Sequence, residues 1–257
     1  MTFLRFCLYL LAGALLGGCV SQRNLPYLQS SEYSTRAAVA VPNAVQPYRL
    51  QPNDVVSVRV QSAQPTLNDI FNVVDTRAMF SGDPGNMFLA GYNIDAQGQI
   101  NLPTVGKVKV QGLTVDETQA IIQQQVNRFV RDANVLVKLL SFKITVLGEV
   151  RNPGRYFVYS GQASLLEALG MAGDLTEFGN RRNVKLIRQT ASGSEVTLLD
   201  LTSPALLASP NYYLLPNDAL YVEPMKARTS RGNAANLGLV FAGISAVVLI
   251  LNYIKVL

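Results

Sequence analysis

Alternating apolar and polar residues predict short β-strands through most of the chain between residues 48 and 225. The run 55–60, VVSVRV, is β-branched and alternating, which is typical of a half-buried strand. Similar runs, separated by turn residues, occur at 105–110, 135–139, 142–150, 155–159, 184–189, 196–201 and 212–224. The spacing of the apolar residues changes from that of a strand to that of a helix in two places, after Thr114 and after Ser164. The pattern therefore predicts an α+β fold with many short strands and two helices.

Each predicted helix begins with a capping box. Thr114 and Ser164 each precede a glutamate by three residues, so the hydroxyl and the carboxylate can satisfy two free N–H groups at the helix start. Apolar residues continue at helical spacing as far as Val130 in the first helix. The second helix is short and is expected to stop at Gly173, a residue suited to a left-handed cap.

One turn motif occurs twice. Tyr-x-Leu-x-Pro-Asn-Asp spans 48–54 and recurs at 212–218. Proline presets the first central position of a turn, and an aspartate side chain can hold the turn by local hydrogen bonds. Reuse of one strand–turn–strand device is the simplest interpretation. The turn residues are Pro52, Asn53, Asp54, Pro216, Asn217 and Asp218.

A different turn is predicted inside the second half of the chain. Asn152 is followed by Pro153 and Gly154, between two runs that alternate as strands. Proline at the first central position and glycine at the second predict a type II turn with a positive φ at Gly154.

The amino-terminal residues 1–18 have the layout of a lipoprotein signal peptide. A short region with one charge, Arg5, precedes an uncharged apolar run, and two glycines stand before Cys19. This arrangement resembles a bacterial lipobox, which implies thioether lipidation of Cys19, cleavage before it and acylation of the new amino terminus. The alternative is an ordinary secretory signal that contains Cys19. Residues 19–47 are expected to be a partly extended, lipidated tether that lifts the body off the membrane.

The carboxyl-terminal segment 237–254 is predicted to be a transmembrane helix. It has 18 residues without charge or proline, about 27 Å of helix at 1.5 Å per residue, which is the short end of a bilayer span. A basic linker, 226–236, precedes it. Residues of one face of this helix form a stripe, which consists of Gly238, Ala242, Ser245 and Asn252.

The stripe has two interpretations. Small residues are common in spanning helices, so the stripe need not have a specific role. Alternatively, it is a seam between neighbouring helices or a surface that faces a pore, because small residues let helices approach closely and Asn252 avoids lipid by facing protein or water. The stripe is less polar than a wide water-filled channel would suggest.

The amino-acid composition of the chain excludes most familiar kinds of active site. The chain has no histidine, and its two cysteines, Cys7 and Cys19, both lie in the first 19 residues, so the body cannot contain a histidine-based triad or a cysteine metal cage. The net charge of +5 is weak and dispersed, which argues against nucleic acid as a partner. We therefore predict no catalytic residue, no metal site and no cofactor.

The densest basic cluster of the body contains Arg181, Arg182 and Lys185. A solvated charged face is the usual explanation for such a cluster. Contact with an acidic glycan is the alternative.

Five motifs occur in a fixed order: Tyr-x-Leu-x-Pro-Asn-Asp, GLTVDE at 112–117, GEVRNPGRY at 148–156, SLLEALGMAGDL at 164–175 and LLPNDALYVEP at 214–224. Together with Cys19, they resemble the polysaccharide export outer-membrane lipoproteins, the Wza-like family. The resemblance implies an export domain at 48–140 and one soluble-ligand-binding β-grasp (SLBB) domain at 141–225. Asn53 stands where the family usually has glycine, and a turn tolerates it because asparagine also adopts positive φ.

The resemblance also implies a function. It predicts a lipid-anchored ring of identical subunits that exports capsular or extracellular polysaccharide through the outer membrane, with its body in the periplasm and an inner-membrane polysaccharide co-polymerase as partner. A second hypothesis is a glycan-binding lipoprotein that guides polysaccharide to a separate pore. A third, an enzyme that cleaves glycan with Lys or Tyr, is the least favoured because histidine is absent.

Overall fold

The computed structural model describes residues 26–43, 45–64, 70–72, 91–190, 193–225, 241–243 and 245–246. Several predicted features lie outside the described residues: the signal peptide 1–18, Cys19, the basic linker 226–236, Gly238 and Asn252. The predictions made for them stay predictions.

The first unit is a small antiparallel sheet with a hairpin and one helix. Its elements are β1 (Val55–Gln61), β2 (Tyr92–Asn93), β3 (Gln99–Leu102), β4 (Gly106–Lys109), α1 (Val115–Val126) and β5 (Asn134–Leu139). The sheet order is β2-β1-β5, and β3 pairs with β4. Alternate residues of β1, namely Val56, Val58 and Val60, are buried, and they pack with Ile122 and Val126 of the helix. The alternation read from the sequence thus corresponds to one buried sheet face.

Helix α1 confirms the predicted capping box but is shorter than predicted. The Thr114 hydroxyl accepts the Glu117 N–H at 3.1 Å, and the Glu117 carboxylate accepts the Thr114 N–H at 2.8 Å. The helix ends at Val126, and Phe129, predicted to continue its apolar face, is 56% exposed. The chain turns back into β5 there, and the Gln123 side chain accepts the N–H of Val135 in β5.

The second unit has a five-stranded sheet that covers one helix. Its elements are β6 (Lys143–Gly148), β7 (Gly154–Phe157), β8 (Ala163–Ser164), α2 (Leu165–Met171), β9 (Gly179–Thr190), β10 (Gly193–Leu199), a 3₁₀ helix (Pro204–Ala208), β11 (Tyr213–Leu214) and β12 (Ala219–Pro224). The sheet order is β10-β9-β12-β6-β7, and β12 lies parallel to β6. The last strand therefore inserts in the middle of the sheet. The predicted mixed α/β class is confirmed.

The prediction of a type II turn at Pro153 and Gly154 is wrong. Gly154 has no positive φ; it is the first residue of β7 and pairs with Val146. The left-handed glycine is Gly148, with φ +90°, at the end of β6. A Cβ on Gly148 would collide with the carbonyl oxygen of Val222, because the parallel strand β12 passes directly beside it. The close approach of two strands, rather than the proline turn, therefore requires a glycine here.

The tether is not wholly extended away from the body. Tyr27, Leu28 and Gln29, the docked segment, bind the second unit: Leu28 N–H donates to Leu201 O at 3.0 Å, and Gln29 N–H donates to Thr202 O at 2.7 Å. Leu28 has a φ of +48°, a conformation that costs a non-glycine residue about 1–2 kcal/mol. The docking contacts offset that cost.

The carboxyl-terminal segment is described only at 241–243 and 245–246, which are helical and exposed. The Ser245 hydroxyl donates to the carbonyl oxygen of Phe241 at 2.9 Å. Within the described ranges, no helix has the length and apolar character needed to cross a membrane. Ala242 and Ser245 of the predicted stripe are thus placed on a helix, whereas Gly238 and Asn252 lie outside the described residues.

Candidate functional site at the domain junction

Both Pro-Asn-Asp turns have the same backbone geometry. The Asp54 N–H donates to Gln51 O at 3.1 Å, and the equivalent bond of the second turn, from Asp218, is also 3.1 Å. Asn53 and Asn217 have φ values of +72° and +70°. Proline at the first central position and a positive φ at the second define a type II turn. The repeated motif is therefore one structural device used twice, and asparagine takes the left-handed position as predicted.

Each turn aspartate also binds its own turn through its side chain. The Asp54 carboxylate accepts the Gln51 N–H at 2.9 Å, and the Asp218 carboxylate accepts the Leu215 N–H at 2.8 Å. Both carboxylates are buried, at 3% and 1% exposure. A buried carboxylate needs further donors, and the two turns obtain them differently.

Asp54 is held by hydroxyl groups. The Tyr48 hydroxyl donates to it at 2.8 Å, and the Ser141 hydroxyl donates at 3.2 Å. Burial raises the pKa of the Asp54 carboxyl above its ordinary value, although its hydrogen bonds and the charge of Lys143 act in the opposite direction. Burial and the Asp54 charge together also raise the pKa of Tyr48. Tyr48 therefore stays a neutral donor.

Asp218 is held by a cation. Arg188 donates to its two oxygens from Nε at 2.9 Å and from a terminal nitrogen at 2.7 Å, which is a bidentate ion pair. A second terminal nitrogen of Arg188 donates to the Asn211 side chain at 3.0 Å. All members of this pair belong to the second unit.

The connector between the units joins the two turns. Ser141 bonds to Asp54 through its hydroxyl, and the same oxygen accepts the Val55 N–H at 3.1 Å. Two residues later, the Lys143 carbonyl accepts the Asn217 N–H at 2.8 Å. The charge of Asp218 also contributes to the raised pKa of Tyr48. The connector therefore binds both turns, the first through Ser141 and the second through Lys143.

A groove of about 570 Å³ opens beside this junction. Its lining combines apolar, aromatic and polar side chains: Pro47, Tyr48, Thr114, Val115, Asp116, Val137, Lys138, Leu139, Leu140, Phe142, Tyr159, Ser160, Gly161 and Pro216. Tyr159 at its rim is 73% exposed. Such a surface can offer an aromatic face and hydrogen bonds to a polar ligand. Across the part of the chain that the structure describes, no three His, Cys, Asp or Glu side chains are grouped to hold a metal ion.

The structure separates the predicted basic cluster. Arg181 is 8% exposed, donates to the carbonyl oxygens of Thr176 and Gly179, and lies 5.5 Å from the centre of the Tyr27 ring. Arg182 is exposed, because successive residues of a strand point to opposite faces. Lys185 forms an ion pair with Glu223. Arg181 is thus buried and internally bonded, whereas Arg182 and Lys185 are at least partly exposed; contact of the cluster with an acidic glycan stays a prediction.

Sequence reasoning missed the contacts of the docked segment. The Tyr27 hydroxyl donates to the Asp174 carboxylate, and burial with the Asp174 charge raises the pKa of Tyr27. Tyr27 and Leu28 pack against the core of the second unit. No periodicity or motif near residue 27 indicated these contacts, since the partners are 147 residues away in the chain.

Comparisons with known proteins agree with the predicted resemblance. Residues 42–140 match the family model for polysaccharide biosynthesis/export proteins, and residues 143–199 match the SLBB domain. The EPS I polysaccharide export outer membrane protein EpsA of Ralstonia solanacearum is 32% identical over 191 residues, which are 69% of this chain and 48% of that protein.

EpsA of Ralstonia nicotianae is 31% identical over 169 residues, 63% of this chain and 42% of that protein. The polysialic acid transport protein KpsD of Escherichia coli is 34% identical over 118 residues, 44% of this chain and 21% of that protein. The chain thus spans about half the length, or less, of these curated relatives. On these matches, the chain belongs to the Wza-like family of polysaccharide export outer-membrane proteins, with an export domain followed by an SLBB domain.

Proposed function

We propose that this chain is a lipid-anchored outer-membrane protein that exports capsular or extracellular polysaccharide as one subunit of a ring-like channel. The observation that carries the proposal is the export-family match over 42–140 followed directly by the SLBB match over 143–199. The names of the relatives, which are export or transport proteins for polysaccharides, support polysaccharide as the substrate. The chain catalyses no reaction and needs no cofactor in this role.

In this proposal two segments contact the membrane, the lipidated Cys19 and the segment 237–254. Cys19 carries the lipid, and the body, 48–225, lies in the periplasm, where it meets an inner-membrane polysaccharide co-polymerase. The segment 237–254 crosses the outer membrane with Gly238, Ala242, Ser245 and Asn252 along a seam or the pore. The bond from Ser245 to the Phe241 carbonyl supports this placement, because it satisfies the hydroxyl within the helix and lets it lie in apolar surroundings.

The ring is tested by the mass of the full-length protein purified in detergent. A particle of many subunits supports the channel. A monomer or dimer contradicts the channel and favours the glycan-binding lipoprotein, for which the groove beside Tyr159 would be the binding surface.

Export is tested by deleting residues 237–257. The body should still fold and remain at the membrane through Cys19, while surface polysaccharide is lost. Ser245→Leu and Asn252→Leu sharpen the test by filling the stripe at nearly constant length. Val247→Leu, which lies roughly 180° around the helix from the stripe, is the matched control. Normal export by the truncated chain would show that the helix is only an anchor.

The anchor is tested with Cys19→Ala. The variant should accumulate as an unprocessed precursor and take up no labelled fatty acid, while the wild-type chain is labelled. Equal labelling of both proteins would contradict lipidation at Cys19.

A further inference from the structure

The five-stranded sheet of the SLBB domain has one face in the core and a second face turned away from it. Val184, Leu186 and Leu220 belong to the first face, and they share one core cluster with Leu165 of α2. Their neighbours along each strand point to the second face, because successive side chains of a strand alternate between the two sides of a sheet. Several of these neighbours are apolar and exposed.

The apolar side chains of the second face form a patch, the open face, which consists of Leu147, Ile187, Val196, Leu198 and Tyr221. Strand pairing places Leu198, Tyr221 and Leu147 in one row across four strands, about 14 Å wide. Leu198 is 63% exposed and Leu147 is 46% exposed. Lys185, which lies in this row, is paired with Glu223, so its charge is compensated. The open face thus offers an apolar partner a contact surface.

The carboxyl-terminal chain leaves the body close to the open face. Tyr221 lies on β12 four residues before Met225, a distance of about 13 Å along the strand. The Met225 N–H donates to Phe178 O at 2.7 Å, which fixes the end of β12. The basic linker, 226–236, has eleven residues and can span at most about 36–40 Å. The segment 237–254 can therefore return to the open face.

One side of the predicted helix 237–254 is strongly apolar. Large apolar residues recur there at intervals of three and four, which is the spacing of one helix face: Leu237, Val240, Ile244, Val247 and Leu251. This apolar helix face is about 21 Å long and lies on the side away from the stripe. Phe241, which lies beside it, is 52% exposed in the structure. Like the open face, this side needs cover in water.

We infer that, in the absence of a bilayer, the segment 237–254 folds back and packs its apolar helix face on the open face of the SLBB sheet. The linker holds the two surfaces at an effective concentration of roughly millimolar, and their contact removes apolar area of both from water. When the segment enters a bilayer, the same helix face contacts lipid and leaves the sheet. This release step rests on the membrane span of the proposed function.

The size of the open face favours a tethered segment over a second copy of the chain. Its two rows are about 7 Å apart, so that with the width of the side chains the patch covers about 200–300 Å². Stable complexes of separate proteins bury roughly 800 Å² per partner. A helix about 10 Å across is sufficient to cover the patch. A tethered segment also loses less translational freedom on binding than a separate molecule does.

The test measures a cross-link between the two surfaces. Leu198→Cys is combined with Phe241→Cys in the full-length, lipidated protein, and a short bis-maleimide joins thiols that come close together. Leu136→Cys with Phe241→Cys is the matched control, because Leu136 is an exposed leucine on a strand of the export domain. Phe241→Cys alone controls for reaction at Cys19. The protein is diluted from detergent into buffer, or into vesicles of phosphatidylethanolamine and phosphatidylglycerol.

In buffer, we expect the Leu198 pair to give at least about fivefold more intramolecular product than the Leu136 pair, because docking holds the segment at the open face. Equal product from the two pairs overturns the inference, whatever the vesicles show. A product of twice the mass in place of the intramolecular one assigns the open face to a second copy and also overturns it.

The vesicles separate this inference from the proposed function. The intramolecular product should fall at least about fivefold there, because the segment enters the bilayer. Undiminished product in protein that floats with the vesicles overturns the release step and contradicts the membrane span. Protein that floats but gives no intramolecular product in buffer overturns the docking and leaves the proposed function intact.

A charge on the open face tests the docking from the side of the sheet. Val196→Asp, added to the Leu198 pair, should lower the product in buffer at least about threefold, because the docked helix would bury a carboxylate without a partner. Val196 lies on the edge strand β10 and is 56% exposed, so the fold tolerates the change. Leu136→Asp is the control and should leave the product unchanged. Unchanged product in the Val196→Asp protein overturns the inference.

Discussion

The export domain and the SLBB domain use the same turn but neutralise its buried carboxylate in different ways. Asp218 is paired with Arg188, and every partner of this pair lies in the SLBB domain. Asp54 has two neutral hydroxyl donors, Tyr48 from its own domain and Ser141 from the connector. The backbone geometry is equal, so the difference lies in the side chains alone. The first turn therefore depends on the junction, whereas the second is self-sufficient.

The largest effect is expected at the ion pair. Arg188→Leu leaves Asp218 as a buried charge without its cation, which costs about 3–5 kcal/mol of the free energy of unfolding. Denaturant unfolding of the full chain in detergent measures the loss. Arg182→Leu, an exposed arginine on the same strand, is the control and should change stability by less than about 0.5 kcal/mol. Equal effects of the two variants would show that the pair contributes little.

The two carboxylates themselves should respond unequally to neutralisation. Asp218→Asn removes one partner of a buried ion pair and is expected to cost about 3 kcal/mol. Asp54→Asn keeps an acceptor for Gln51 and Tyr48 and removes a buried charge that has no bonded cation, so it should cost less than about 1 kcal/mol at neutral pH. The same unfolding measurement compares them. A larger loss for Asp54→Asn would contradict the assignment of the two environments.

Removing a single hydroxyl tests the first turn more gently. Tyr48→Phe deletes the donor to Asp54 and should cost about 1–2 kcal/mol, because the charged acceptor remains buried. The matched control is Tyr212→Phe, since Asp218 receives its bonds from Arg188 and Leu215 instead of that tyrosine. The control should change stability by less than about 0.5 kcal/mol.

The raised pKa of Asp54 predicts a pH dependence of stability. The folded state binds the Asp54 proton more tightly than the unfolded state, whose carboxyl titrates near 3.8. The contribution of Asp54 to the free energy of unfolding is therefore greatest below that value and falls as the pH rises through the folded-state pKa. The difference in stability between the wild type and Asp54→Asn, measured across acidic and neutral pH, should decline in this direction. A stability difference that increases with pH would contradict the raised pKa of Asp54.

The local structure of both turns was predictable from the sequence, whereas the contacts between residues far apart in the chain were not. The two turns, the left-handed asparagines and both capping boxes depend on residues within a few positions of each other, and the structure confirms them. The contact of Ser141 with Asp54 joins residues 87 positions apart. Glycine is likewise required at 148 because of Val222, which contacts it from a strand far away in the sequence. Local turn rules cannot include such a contact, and they pointed to Gly154 instead.

The smallest effect should be equal in the two turns. Asn53→Gly and Asn217→Gly both relieve a side chain at positive φ, near +70°, but also make the unfolded chain more flexible. These opposing contributions should leave the free energy of unfolding of each variant within about 0.5 kcal/mol of the wild-type value. More importantly, the two changes should match each other, because the backbone geometry is shared while the carboxylate partners are untouched. Unfolding of both variants under the same conditions measures this. A clear difference between them would show that the junction strains the first turn, so that the two turns differ in backbone as well as in side-chain partners.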